Sequence, residues 1–130
     1  MRVQGMHKCW TIKHMEPRPL TDRERALLDA LLSVEFPNAE ELRKQSSEVS
    51  VVAACGCGCP SIDFVIGRGL GMSIRVNAAL RGSPFDGLFL WTIEDVDRRE
   101  VLGGIEWLGN SKQPDPEELP DPSLLAIDCP

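Results

Sequence analysis

Three of the five cysteines in this chain fall within five residues, in the segment Cys55-Gly56-Cys57-Gly58-Cys59-Pro60. Thiolates are soft ligands for zinc and other transition metals, and thiols are readily oxidised. The chemistry that this run offers is therefore metal binding or thiol redox exchange. A structural interpretation is also open, because cysteine is small and often buried, and glycine lets a neighbouring backbone or side chain approach closely.

The spacing of the run limits how it could hold a metal ion. Alternate side chains of a regular strand lie about 6.5–7 Å apart, whereas the sulfurs of a tetrahedral zinc site lie under about 4 Å apart. A straight strand cannot wrap three thiols around one ion unless a glycine bends it, which glycine does at little cost. A zinc site would therefore use Cys55, Cys57 and Cys59 with outside ligands from the chain ends, for which the candidates are His7, Cys9, His14 and Cys129.

A redox role has less support in the sequence. Active thiols typically occur in Cys-x-x-Cys at a helix N-terminus, which lowers their pKa. Here Pro60 is followed by Ser61-Ile62-Asp63-Phe64, which predicts a strand. We expect Cys55, Cys57 and Cys59 to be reduced thiols that the fold protects, as is usual in a cytoplasmic protein.

Other motifs that are typical of enzymes are missing from the sequence. Gly67-x-Gly69-x-Gly71 lies between two predicted strands and opens no helix, so it predicts a turn rather than a dinucleotide site. No Gly-x-Ser-x-Gly occurs. The carboxylates Glu94, Asp95 and Asp97 fall in a predicted turn, where they are expected to be solvated. The sequence favours a protein without enzymatic activity.

Charge and composition limit the classes of partner that this protein is expected to bind. The formal net charge is −6, with a pI near 4.9 and no basic patch, which argues against a nucleic-acid binder and favours a basic partner. No apolar run approaches the roughly 20 residues that span a bilayer, and the N-terminus lacks the apolar stretch of a secretory signal. A chain of 130 residues fits one domain.

Two helices are predicted near the N-terminus. Thr21-Asp22-Arg23-Glu24 has the form of a capping box, and leucines at helical spacing follow it, so a helix is expected over 22–34. Asn38 is expected to cap a short polar helix over 39–45, with Glu41 in the capping-box position. Residues 1–19 are expected to be irregular.

From Val49 the hydrophobic period changes from 3.6 to 2, which predicts strands. The expected fold is α+β: an N-terminal helix pair (20–46) packed on a four- or five-stranded antiparallel meander (49–109), with a proline-rich extended tail over 110–130. Side chains expected in the core include Leu27, Leu31, Phe64, Ile74 and Val76.

The two C-terminal strands are apolar on both faces. Strict alternation places Trp91 and Trp107 on one face with Phe89, Ile93, Val101 and Ile105, and leucines on the other. Both tryptophans are candidates for the core. The alternative is an interface anchored by Trp91 or Trp107, with Glu94, Asp95 and Asp97 as an acidic rim, because an uncovered apolar face marks an interaction site.

A longer stretch carries a resemblance. LTDRERALLDALLSVEFPNAEELRKQ, VVAACGCGCPSIDF and the closing LPDPSLL are similar to small uncharacterised actinobacterial proteins. The resemblance implies a bacterial cytoplasmic setting and a free-standing small domain. No activity or functional residue comes with it.

The function that the sequence favours is a small acidic binding protein, of the inhibitor or immunity type, acting on a basic protein partner or forming a homodimer, without a cofactor. The alternative is a zinc-binding protein built on the cysteine run, with His7 and Cys9 as further ligands. A thiol redox protein is the third possibility.

Overall fold

A computed structural model describes residues 12–55, 58–66, 70–109 and 114–128. Within these residues seven strands form one antiparallel sheet, in the order β1-β2-β3-β6-β5-β4-β7. The strands are β1 (Ile12–Arg18), β2 (Val51–Cys55), β3 (Ile62–Asp63), β4 (Leu70–Leu80), β5 (Ser83–Glu94), β6 (Glu100–Gly109) and β7 (Leu125–Asp128). The helices are α1 (Asp22–Leu31) and α2 (Ala39–Gln45), and single 3₁₀ turns follow at Ser46–Glu48 and Pro122–Leu124.

The expected α+β fold with four or five strands is wrong, because the chain is mostly β. Strands β4, β5 and β6 do form a meander, but β1, β2 and β3 add a second antiparallel group, which joins the meander through β3 and β6. β1 lies in a segment expected to be irregular. Its Pro17 is tolerated because β1 is an edge strand whose register shifts between His14 and Arg18.

The capping box at α1 is confirmed. Thr21 Oγ1 accepts the backbone N–H of Glu24 at 3.1 Å, and Glu24 Oε1 accepts that of Thr21 at 2.9 Å. Glu24 also accepts two hydrogen bonds from the Arg18 guanidinium, at 2.8 and 2.9 Å. The start of α1 is thereby tied to the end of β1. The helix ends at Leu31, three residues earlier than expected.

α1 and α2 cover one face of the sheet. Leu27 and Leu31 of α1 and Leu42 of α2 are fully buried against residues of the central strands. The predicted burial of Leu27, Leu31, Phe64 and Val76 is confirmed. None of the helices within the described residues is long and apolar enough to cross a membrane.

The predicted burial of Ile74 is wrong, since its side chain is 43% exposed. The register of β4 against β5 shifts between Ile74 and Val76, so one extra residue enters β4 there. An inserted residue reverses the facing of every side chain on one side of it. Val76 therefore faces the core and Ile74 the opposite side.

A second insertion separates the two strand tryptophans. In β6, Gly104 lies opposite Trp91 and Leu102 opposite Thr92, which leaves Gly103 as the extra residue. Trp107 then faces α1 and the main core, whereas Trp91 faces the other side and forms a second buried cluster with Phe89 and Ile93. The expectation that Trp91 and Trp107 share a face is wrong.

Candidate functional site

β2 ends at Cys55, and the described residues of the cysteine run beyond it do not continue the strand. The Gly58 N–H donates to the Cys55 carbonyl oxygen at 3.5 Å, and Gly58 has φ +96°. Glycine takes this left-handed conformation at little cost, and other residues rarely do. Gly58 therefore supplies a bend of the kind that three thiols on one strand would need to approach a single metal ion.

The two described cysteines of the run differ in oxidation state. Cys55 is disulfide-bonded, so the expectation of a reduced thiol is wrong for this residue. Its partner lies outside the described residues. Cys59 carries a thiol, is 7% exposed and donates to Ser61 Oγ at 3.5 Å, which confirms a reduced and protected side chain there.

The zinc prediction is only partly covered by the structure. His7, Cys9 and Cys57 lie outside the described residues. Within the ranges that are described, no group of three or more potential ligand side chains comes together. The zinc site stays a prediction.

The candidate interface residues divide into buried and exposed ones. Trp91 is 0% and Trp107 4% exposed, so in this conformation both indoles are core side chains. Glu94, the last residue of β5, and Asp97, in the turn between β5 and β6, are both exposed. Asp95 shapes that turn, because its Oδ1 accepts the backbone N–H groups of Asp97 and Arg99 at 2.8 and 3.0 Å.

A hollow of about 800 Å³, here called the tail cleft, lies where the proline-rich segment crosses the end of the sheet. Its size falls in the range of about 300–1,000 Å³ that is usual for ligand pockets. The side chains that line it include apolar ones, namely Leu80, Trp107, Pro116, Pro120 and Leu124, and polar ones, namely Arg23, Ser83, Asp86, Glu117 and Glu118.

Specific contacts hold the proline-rich segment in place. The indole N–H of Trp107 donates to Asp115 Oδ1 at 3.1 Å. Leu119, 1% exposed, is buried in the main core. Asp121 Oδ1 accepts the Ser123 N–H at 2.9 Å, and this hydrogen bond lowers the pKa of the Asp121 carboxyl. Asp115 and Leu119 thus attach the segment to β6 and to the main core.

The polar side of the tail cleft is acidic. Asp86 is 7% exposed and accepts a hydrogen bond from Ser83 Oγ at 2.8 Å. Glu117 and Glu118 are exposed, and Glu118 lies 3.6 Å from the guanidinium of Arg23. Among the lining residues three carboxylates thus face one cation, so the cleft attracts positive charge.

Sequence reasoning identified Trp107 but missed the acidic residues of this cleft. Asp86 and Glu117 are 31 residues apart and carry no motif. The one signal was the proline-rich segment itself, since it cannot enter the sheet interior and must cross the surface.

A second polar site lies at the opposite end of β5. Glu100 accepts two hydrogen bonds from Arg75, at 2.7 and 3.0 Å, one from Thr92 Oγ1, and one from Asn38 Nδ2 at 3.0 Å. The Asn38 side chain therefore does not cap α2 as expected, and Asn38 adopts φ 69°. These contacts connect α2 to the sheet, and Asn38 also lines an open hollow of about 570 Å³ beside α2.

Comparisons with known proteins give no lead. No protein-family model matches the chain, and neither the curated proteins nor the solved structures searched gave a match.

Proposed function

We propose that this protein is a non-enzymatic binding module that holds an extended basic segment of a protein partner in the tail cleft. The observation that supports it is the composition of the cleft: an apolar wall that includes Trp107 and Leu124 beside the carboxylates of Asp86, Glu117 and Glu118. The net charge of −6 acts in the same direction.

The chemistry of each wall suits one part of such a ligand. Aliphatic side chains or the methylene stems of arginine and lysine pack on tryptophan, leucine and proline. The cationic heads of those side chains lie against the carboxylates, where charge-assisted hydrogen bonds are shorter and stronger than neutral ones. Since alternate residues of an extended chain point to opposite sides, basic and apolar residues in alternation match the two walls.

The test uses a synthetic decapeptide of alternating arginine and valine, with a glutamate–valine peptide as the negative probe. Titration calorimetry measures Kd, and the NMR signal of the Trp107 indole N–H reports on the cleft itself. We expect the arginine peptide to bind and shift that signal, and its affinity to fall as salt rises, because exposed charge attraction is screened.

Two double variants are compared, and each removes two negative charges from the protein. Glu117→Gln combined with Glu118→Gln is expected to raise Kd about five- to tenfold, since each exposed ion pair contributes about 0.2–1 kcal/mol. Glu40→Gln combined with Glu48→Gln removes two exposed carboxylates elsewhere and should change Kd less than twofold. Equal effects of both pairs, or an unmoved Trp107 signal, would reject the cleft as the site.

A further inference from the structure

A shallow apolar hollow, here called the sheet groove, lies on the side of the sheet away from α1 and α2. Its floor is a row of small residues that lie opposite one another on three strands, Ala126 of β7, Ala79 of β4 and Gly87 of β5. Leu108 of β6, 40% exposed, continues the row. The groove has a volume of about 270 Å³.

Gly87 keeps the floor of the groove low. A Cβ added there would come within 2.4 Å of the Ala78 carbonyl oxygen, so no side chain fits without moving the backbone. The neighbouring Ala79 and Ala126 are both exposed and have only a methyl group to offer. The result is a depression in an otherwise continuous sheet surface.

An aromatic side chain stands beside this depression. Phe85 precedes Gly87 by two residues on the same strand, lines the groove and is 69% exposed. Large exposed apolar side chains next to an apolar hollow are typical of interaction sites. A cavity of about 150 Å³ is enough to hold a benzene molecule, so the sheet groove has room for a phenyl ring.

The Phe85 side chain and the sheet groove lie on the same face of the sheet. This arrangement favours a second copy of the chain as the occupant of the groove. Two copies related by a twofold axis can each place Phe85 in the other's groove, because such an interface repeats every contact twice. The charges at the two ends of the groove fit the same arrangement. Exposed Arg81 lies at the β4–β5 turn, and exposed Asp128 lies opposite Asn77, four residues before Arg81.

We propose that the sheet groove is the interface of a symmetric homodimer, in which Phe85 of each copy inserts into the groove of the other. The antiparallel arrangement places Arg81 of one copy near Asp128 of its mate at both ends. The tail cleft lies towards the other side of the sheet and shares one lining residue, Asp86, with the groove.

Sedimentation of the full chain over a range of concentrations measures the dimer Kd. Phe85→Ala removes the protrusion and Ala79→Leu fills the hollow, and each is expected to raise Kd at least tenfold. Val96→Ala is the control, because Val96 is 98% exposed on the β5–β6 turn, away from the groove; it should change Kd less than twofold.

Mixing two variants and reversing charges test the proposed dimer contacts directly. Phe85→Ala and Ala79→Leu chains should associate with each other more tightly than either does with itself, since one copy keeps the hollow and the other the protrusion. Arg81→Glu should weaken the dimer, and Arg81→Glu combined with Asp128→Lys should restore it. Circular dichroism confirms that each variant is folded.

A wild-type chain that stays monomeric up to about 1 mM would overturn the homodimer, and so would a Val96→Ala effect equal to that of Phe85→Ala. A dimer that Phe85→Ala leaves intact would place the interface elsewhere and would also overturn it. If the wild-type chain dimerises but does not bind the arginine peptide, only the tail-cleft proposal is rejected. The two proposals are therefore tested separately.

Discussion

The Glu100 carboxylate accepts four hydrogen bonds from three side chains. It receives hydrogen bonds from Arg75, Thr92 and Asn38, which lie on two strands and on the loop before α2. Burial alone would raise the pKa of Glu100, but these hydrogen bonds, with that from Arg75 the largest, outweigh it and lower the pKa below its ordinary value. The ionised form is therefore the one that the fold selects.

This lowered pKa predicts a pH dependence of stability. A group whose pKa is lower in the folded state stabilises the fold fully above its unfolded pKa, about 4.3 for glutamate, and loses that contribution as pH falls through the folded value. Glu100→Gln should lower the free energy of unfolding by about 1.5–3 kcal/mol at pH 7. Because the variant no longer titrates there, the loss should shrink when urea unfolding is repeated near pH 3.

Glu40→Gln is the control for this prediction, since Glu40 is exposed on α2. It should change the unfolding free energy by less than about 0.5 kcal/mol at either pH. A Glu100→Gln loss of the same size at both pH values would show that shape, rather than ionisation, accounts for the role of Glu100. Glu24, whose pKa is also lowered through Arg18, keeps some pH dependence in every variant.

At the scale of the element, the strand insertions determine which side chains form the core. The extra Gly103 in β6 lies directly against Trp91, since an added Cβ would come 2.2 Å from Trp91 Cε3. Gly103 therefore has two roles, to shift the register of β6 and to leave space for the indole ring. Only glycine serves both.

The close contact predicts that Gly103→Ala is destabilising. Overpacking a core typically costs about 1–3 kcal/mol, and we expect a loss at the upper end because the ring is fully buried and cannot move away. In a Trp91→Phe background the same change should cost at least about 1 kcal/mol less, because phenylalanine lacks the outer ring that meets the new methyl group. Chemical unfolding of the four chains measures this difference.

Additive losses in that cycle would contradict the contact. They would mean that alanine at 103 acts through the backbone of β6, whatever side chain stands at 91. The near-UV circular dichroism of the tryptophans reports independently whether the ring has been displaced.

The sequence predicts elements well where one period runs without interruption. The leucines of α1 and its capping box at Thr21 gave the helix, and alternation gave the central strands. The insertions at Gly103 and before Val76 could not be found this way, because one extra residue leaves the hydrophobic pattern intact on each side while reversing its facing. β1 was missed since Pro17 and the charged residues around it hide an edge strand.

At the scale of the whole molecule, the candidate sites depend on contacts between distant parts of the chain. The tail cleft exists because the Trp107–Asp115 hydrogen bond and buried Leu119 hold the proline-rich segment over the sheet. The sheet groove needs three strands in one register. Composition predicted an acidic binding surface, but the positions of its carboxylates follow from the fold alone.

The main core connects α1, the sheet and the tail. α1 lies over the central strands, and its buried leucines pack in one cluster with Leu119 and Leu125 of the tail as well as with Val76 and Leu90 of the sheet. Weakening this cluster should therefore loosen the tail and the sheet together. The fold predicts one cooperative unfolding transition rather than separate ones.

Leu31→Ala tests that prediction. Leu31 is 0% exposed, and truncating a buried leucine costs about 2–5 kcal/mol, depending on how far the surroundings close the cavity. Asp29→Ala, on the exposed side of α1, should change the unfolding free energy by less than about 0.5 kcal/mol. Tryptophan fluorescence and far-UV circular dichroism should agree on one midpoint in the wild type and on one lower midpoint in Leu31→Ala. A loss below about 0.5 kcal/mol would show that α1 does not stabilise the sheet, and two separate midpoints would show that the tail and the sheet unfold independently.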